Sequence, residues 1–309
     1  MNRSGFFFIL LVLLAASCSG AAETASAGSL DADSVVKDVE STDESTETSG
    51  NAHLFGRVID PSAANAVPAS FSAAALALLQ AYPDFIVDVS GNTVRFADGS
   101  TLAYDDGKVK SFDTMLDNGD IEDMFFIPYD SAPASPAYLH DAGRSRNEAL
   151  FRKMYGESAE AVRRNLVKVE WFGQKMDFTA VNGAADSLAK VAAELQRHPR
   201  LHRYIRSSGT FYWRPVRGAK RLSAHSYGIA IDIAVPYSDY WLWKNRKASE
   251  TDEITYANRF PRQLVGIFER YGFIWGGAWY HYDTMHFEFR PEIIGYARQL
   301  SCHVNPCPM

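Results

Sequence analysis

Hydrophobic and polar positions change their period several times along the chain, and each change predicts an element. Phe71 to Gln80 is rich in Ala and Leu and predicts a helix that Tyr82-Pro83 brings to an end. Phe85 to Val89, Thr93 to Ala97 and Thr101 to Tyr104 predict short strands, with Gly91-Asn92 and Asp98-Gly99 as the turns between them. This meander closes at Asp105-Asp106-Gly107, which reads as a plain turn because the ligand spacing of an EF-hand is missing. Asp130 to Pro136 is rich in Ser, Ala and Pro and reads as a linker or surface loop. Asn147 to Tyr155 predicts a helix stopped by Gly156. Leu188, Val191, Ala192 and Leu195 keep helical spacing, with Pro199 just beyond. Leu264, Ile267, Phe268 and Tyr271 form one face of a further helix, with Pro261 in its first turn and Gly272 at its end. Helices and strands mix without a regular βαβ alternation, so the fold class is α+β: a small antiparallel sheet with flanking helices, preceded by a small N-terminal α+β segment.

Two stretches follow the period of two and carry chemistry. In Gly228 to Val235, Ile229, Ile231, Ile233 and Val235 fall on one face, and Gly228, Ala230, Asp232 and Ala234 on the other. Asp232 is thus alone among small residues, which leaves room for an ion that would remove the cost of burying a carboxylate. In the second stretch Met285, Phe287 and Phe289 point one way, and His286, Glu288 and Arg290 the other. His225, Asp232 and His286 together make a catalytic zinc set, because three protein ligands leave a fourth position open. His281 competes with His286 as the second imidazole. Asp283 sits at the turn into the strand, where a general base is needed. Glu288 reads as a partner that orients a ligand histidine, or as an ion pair with Arg290. Arg214 is placed to stabilise developing charge, with Arg217 as the alternative. Trp241, Trp243, Trp275 and Trp279 crowd the region, and Gly276-Gly277 suits a close backbone approach.

The N-terminus follows different rules. Arg3 precedes an apolar run, Phe6 to Ala16, that is shorter than the roughly twenty residues of a membrane-spanning helix and fits an export signal. It ends in Ala15-Ala16-Ser17-Cys18, which resembles a bacterial lipoprotein signal whose cysteine is acylated. Residues 1–17 are then the signal and 18–52 a disordered tether, since Ser19 to Gly50 contains no aromatic residue. Residues 53–142 form an N-terminal segment whose role the sequence does not indicate, 143–300 the domain with the metal site, and 301–309 a tail. An oxidising compartment permits a disulfide between Cys302 and Cys307. The net charge of −6, without a basic stripe, argues against a nucleic-acid partner.

Ser223-x-His225-x-x-Gly228-x-Ala230-x-Asp232, then Gly272-Phe273-x-Trp275-Gly276-Gly277, then Asp283-x-x-His286-Phe287-Glu288 resembles the D-alanyl-D-alanine carboxypeptidase family of zinc peptidases. That family includes vancomycin-resistance dipeptidases and the L-alanyl-D-glutamate endopeptidases of phage endolysins. The resemblance covers Gly209 to Glu292. It implies one zinc ion per chain on His225, Asp232 and His286, with Asp283 as general base and Arg214 as charge stabiliser. Several relatives carry glutamate where this chain has Asp283. The implied substrates are peptidoglycan stem peptides, cut as by a D-Ala-D-Ala carboxypeptidase or, alternatively, by an L-alanyl-D-glutamate endopeptidase. A wall-binding lipoprotein without activity is the rival from another class, and Asp283 and Arg214 argue against it. The export signal agrees with an enzyme of the cell envelope, in the periplasm or on the cell surface, tied to a membrane through Cys18.

Overall fold

A computed structural model of the chain describes residues 69–131 and 133–304. The export signal, Cys18, the tether and Cys307 lie outside the described residues. The chain opens with α1 (Ala69–Ala81) and a three-stranded antiparallel meander, β1 (Ile86–Ser90), β2 (Thr93–Phe96) and β3 (Thr101–Ala103). Beyond it, the Lys110 ammonium lies 2.8 Å from carboxylates of Asp106, Asp120 and Asp123, so this acidic loop carries its own cation.

Three helices follow: α2 (Phe112–Asn118), α3 (Glu148–Tyr155) and α4 (Ala159–Arg164). Ser111, Asn147 and Ser158 cap them, each side chain accepting a free first-turn amide. The hairpin of β4 (Leu166–Trp171) and β5 (Gln174–Thr179) leads into α5 (Ala184–Leu195). The central sheet takes β6 (Ser207–Gly209) and β7 (Ala230–Ile233). After α6 (Trp241–Lys244) and α7 (Arg262–Arg270) come its other strands, β8 (Phe273–Trp275) and β9 (His286–Phe289), and then α8 (Pro291–Val304). The strand order is β6-β7-β9-β8, and every pairing is antiparallel. The α+β class and the small antiparallel sheet are as the sequence patterns predict.

Two local expectations need correction. The alternating run from Gly228 to Val235 is a strand only over β7, because Gly228 (φ 66°) and Ala234 (φ 55°) take left-handed conformations at its two ends. Val235, expected on the buried face, is 37% exposed, since a short 3-10 turn containing Pro236 begins there. Pro261 caps α7 from outside instead of lying in its first turn.

The apolar face of the sheet supplies the core. Phe287 lies opposite Ile231 and Trp275 in neighbouring strands and stacks on Phe268 of α7, with ring centroids 3.9 Å apart. Burying each such side chain is worth roughly 1.5–3 kcal/mol. The core runs through position 143 without a break. Ala73, Leu78, Tyr82 and Phe96 share one cluster with Phe268 and Phe287, and α1 lies along α8. Residues before and after Gly143 thus pack as one unit among the described residues.

Candidate metal centre

Asp232 and His286 are direct cross-strand partners in β7 and β9, so their side chains leave the sheet together on the face away from Ile231 and Phe287. The next pair on that face is Ala230 and Glu288, and the small alanine leaves Glu288 room beside His286. His225 arrives from the turn before β7. Ser223 caps that turn by accepting the His225 amide, and Gly228 ends it. A Cβ at Gly228 would stand 2.6 Å from Leu166 of the β4–β5 hairpin, so both its left-handed φ and the close packing require glycine. The result is one convergence: His225 Nε2 lies 3.2 Å and His286 Nδ1 3.0 Å from Oδ1 of Asp232. Both imidazoles are buried and Asp232 is half-buried.

The outward nitrogen of each histidine is held. His225 Nδ1 bonds to the carbonyl of Thr210, just past β6, and His286 Nε2 lies 3.1 Å from Glu288 Oε2. Glu288 in turn accepts from Arg290 at 2.9 Å, Arg290 donates to Glu292 at 2.5 Å, and Tyr82, the residue that follows α1, donates to Glu292 at 2.5 Å. A buried chain of hydrogen bonds therefore links the first helix to His286. Burial alone would raise the pKa of Glu288, but Arg146, the bond to His286 and Arg290 hold it well below the usual carboxylate range. Glu288 is thus both an orienting partner of His286 and an ion-pair partner of Arg290.

The donor set fits a cation. With the outward N–H groups given to Thr210 and Glu288, His225 Nε2, His286 Nδ1 and Asp232 Oδ1 face one another as three acceptors. Three acceptors repel unless a proton or a metal stands between them. Burial disfavours a charged His286, yet the hydrogen bonds to Asp232 and Glu288 outweigh it and raise its pKa from 6.5 to about 10. Asp232 is likewise held far below its ordinary value: burial opposes this, and the charge and hydrogen bonding of His225 and His286 overcome it. The three ligand atoms lie within 4.8 Å of one another, a span that one ion can bridge.

Asp283 is fixed by the loop between β8 and β9. Its amide donates to the Gly276 carbonyl at 3.0 Å, and its own carbonyl accepts from the His286 amide at 3.1 Å. A Cβ at Gly276 would stand 2.6 Å from that carbonyl, so the close approach expected of Gly276-Gly277 is present. Asp283 Oδ1 is sealed from solvent with no hydrogen-bond partner among the described residues. Burial, and then the charge of Asp232, push its pKa up to about 7 against the pull of His286 and His225. Asp283 lines the same cleft of about 700 Å³ as His225, Asp232 and His286.

Arg214 and Arg217 line that cleft from its exposed rim. Arg214 is steered by its backbone, whose amide donates to Ser226 Oγ at 3.0 Å, and its Nη1 donates to the Pro215 carbonyl at 3.2 Å. Trp241, Trp243 and Trp279 line the cleft, whereas Trp275 is core. His281 is not brought to Asp232. It is buried in a separate cluster, with Nδ1 at 2.5 Å from Asp141 and Nε2 at 3.5 Å from Glu250. The sequence reading missed Asp141, Glu250 and three buried arginines of the cleft wall, Arg144, Arg146 and Arg221. The density of charge in Asp141-Ala-Gly-Arg-Ser-Arg146, just ahead of a helix with an apolar face, hinted at Asp141, Arg144 and Arg146, whereas nothing local marked Arg221 or Glu250.

Residues 217–289 match the family model described as D-alanyl-D-alanine carboxypeptidase, so the segment that carries His225, Asp232 and His286 is similar to that peptidase family. No curated protein and no solved structure gives a significant match.

Proposed function

We propose that this chain is a zinc-dependent peptidase that hydrolyses peptide bonds in peptidoglycan stem peptides, in the manner of a D-alanyl-D-alanine carboxypeptidase. The observation that carries the reading is the meeting of His225 and His286 on one oxygen of Asp232, beside Asp283 in the same cleft and inside the matching segment. Zinc held by His225, Asp232 and His286 would supply Lewis acidity to a carbonyl and to water. Asp283, with a pKa of about 7, is matched to taking a proton from the attacking water and returning it to the leaving nitrogen. Arg214 lines the rim of the cleft, where a cation would steady charge growing on the carbonyl oxygen. Tyr212 and Trp243, both exposed at the rim, offer flat surfaces to an extended substrate. On the same reading the enzyme works in the cell envelope, held to a membrane by an acylated Cys18.

The test is Asp283→Ala with defined muropeptides as substrates. Zinc content should stay near one per chain while cleavage falls by about 10²-fold or more. Persistent cleavage removes Asp283 as the base, and no cleavage by the unaltered zinc-loaded protein refutes the peptidase. Product masses separate loss of a terminal D-alanine from the endopeptidase alternative, a cut between L-alanine and D-glutamate.

A further inference from the structure

We propose that Arg146 and Arg221 form a carboxylate-binding subsite beside the metal centre, for the free carboxylate of the amino acid released at cleavage. The proposal rests on the peptidase reading above and names what that cleft selects.

The charge of the cleft points to an anion. Its lining carries Arg144, Arg146, Arg214, Arg217 and Arg221 against two carboxylates, Asp232 and Asp283. Zinc would add to the excess. Within the wall the arginines are not equivalent. Arg144 is fully engaged, at 2.7 Å from Asp141 and 2.8 and 3.0 Å from Glu250. Arg146 has a side chain only 9% exposed, yet it reaches a carboxylate only through Nη1, at 3.3 and 3.4 Å from Glu288. That carboxylate already serves Arg290 and His286. Arg221, equally buried, gives Nη1 to Asp117. The Nε of Arg146 and that of Arg221 have no partner among the described residues. Burying a guanidinium with unused donors is unfavourable unless an anion completes it.

A carboxylate is the anion that fits. Arginine grips it with parallel bonds, and two arginines from different segments can hold its two oxygens. Arg146 touches Glu288, and Glu288 touches His286, so the subsite adjoins the reacting centre. The chemistry of the substrates agrees. A terminal D-alanine leaves with a free carboxylate, and a D-glutamyl unit released from L-alanine also carries one.

The test compares acid and amide by calorimetry, on zinc-loaded full-length protein carrying Asp283→Ala to prevent turnover. D-alanyl-D-alanine and its C-terminal amide form one arm, L-alanyl-D-glutamate and its diamide the other. The acid should bind about tenfold or more tighter than the amide in at least one arm, and which arm shows it identifies the leaving residue. Arg146→Gln and Arg221→Gln should each shrink that ratio towards one, and Arg→Lys should restore part of it. Zinc content and melting temperature report whether each variant folds. Because the two arginines lie on separate segments, Arg221→Gln carries the test if Arg146→Gln does not fold. Equal binding of acid and amide, no binding of either, or a preference untouched by both glutamine variants overturns the subsite. Muropeptide cleavage by the unaltered enzyme, measured in parallel, keeps that failure distinct from failure of the peptidase assignment.

Discussion

Two clusters of carboxylate and imidazole lie near each other, joined by the cleft that His281 of the second also lines, and each gathers its ligand atoms within 4.8 Å. His225, Asp232 and His286 form the first, Asp141, Glu250 and His281 the second. Their chemistry is nearly the same, but their charge balance is not. In the second cluster the Arg144 guanidinium lies 2.7 Å from Asp141 and 2.8 Å from Glu250, so the chain provides its own cation. His281 is also boxed in, its ring against Trp241 and Phe112. In the first cluster no arginine or lysine reaches Asp232 among the described residues, and three acceptors face inward. A gathering of metal-ligating residues is therefore weak evidence by itself. What separates a metal centre from a buried ion-pair network is whether a side chain already neutralises it.

The largest effect that can break this comparison comes from the histidines. His286→Ala should lose zinc and activity together, whereas His281→Ala should keep zinc near one per chain by elemental analysis. The reverse result would exchange the two clusters. Next comes chelation. Stripping zinc should lower the melting temperature of the unaltered protein, by the equivalent of about 4 kcal/mol if zinc had been present at a thousand times its dissociation constant. The same chelator should leave the melting temperature of His286→Ala unmoved. Arg144→Met, which leaves Asp141 and Glu250 without their cation, should destabilise the fold by about 3–5 kcal/mol in denaturant titration, with zinc content unchanged.

The subtlest test is a pH dependence of the zinc-stripped protein, spread over several pH units. Its His286 has a pKa raised from 6.5 to about 10, so the folded state holds this proton more tightly than the unfolded chain does. That stabilisation is fully present below pH 6.5 and is lost as pH rises through about 10. The melting temperature of stripped protein should therefore fall across this window. The zinc-loaded protein should lack that fall, because the metal replaces the proton, and zinc affinity should climb over the same range. A flat stripped-protein profile would remove the proton from His286.

Asp232, His286 and Glu288 were legible as outward-facing residues because they sit in short-range patterns. The parity of β9 separates His286 and Glu288 from Phe287, and the small residues around Asp232 mark a face with space on it. Helix ends were legible for the same reason: Asn147, Gly156 and Gly272 act on the backbone nearest to them. The limits of the alternating run were not, since Ala234 adopts a positive φ that its sequence does not announce. The cleft wall was less legible still. Arg144 meets Glu250 across 106 positions and Arg221 meets Asp117 across 104, and neither pair leaves a period in the sequence.

By itself the sequence determined the periodic faces, the helix stops and which side of each strand carries Asp232, His286 and Glu288, because these follow from covalent geometry over a few residues. Only the tertiary structure decided that His286 and not His281 meets Asp232, that the first helix is joined to His286 through Tyr82, Glu292, Arg290 and Glu288, and which arginines keep donors free. Those outcomes depend on charge balance between groups remote in sequence. Coulombic and hydrogen-bond energies are set by distance in space and by burial, and neither exists until the chain has packed.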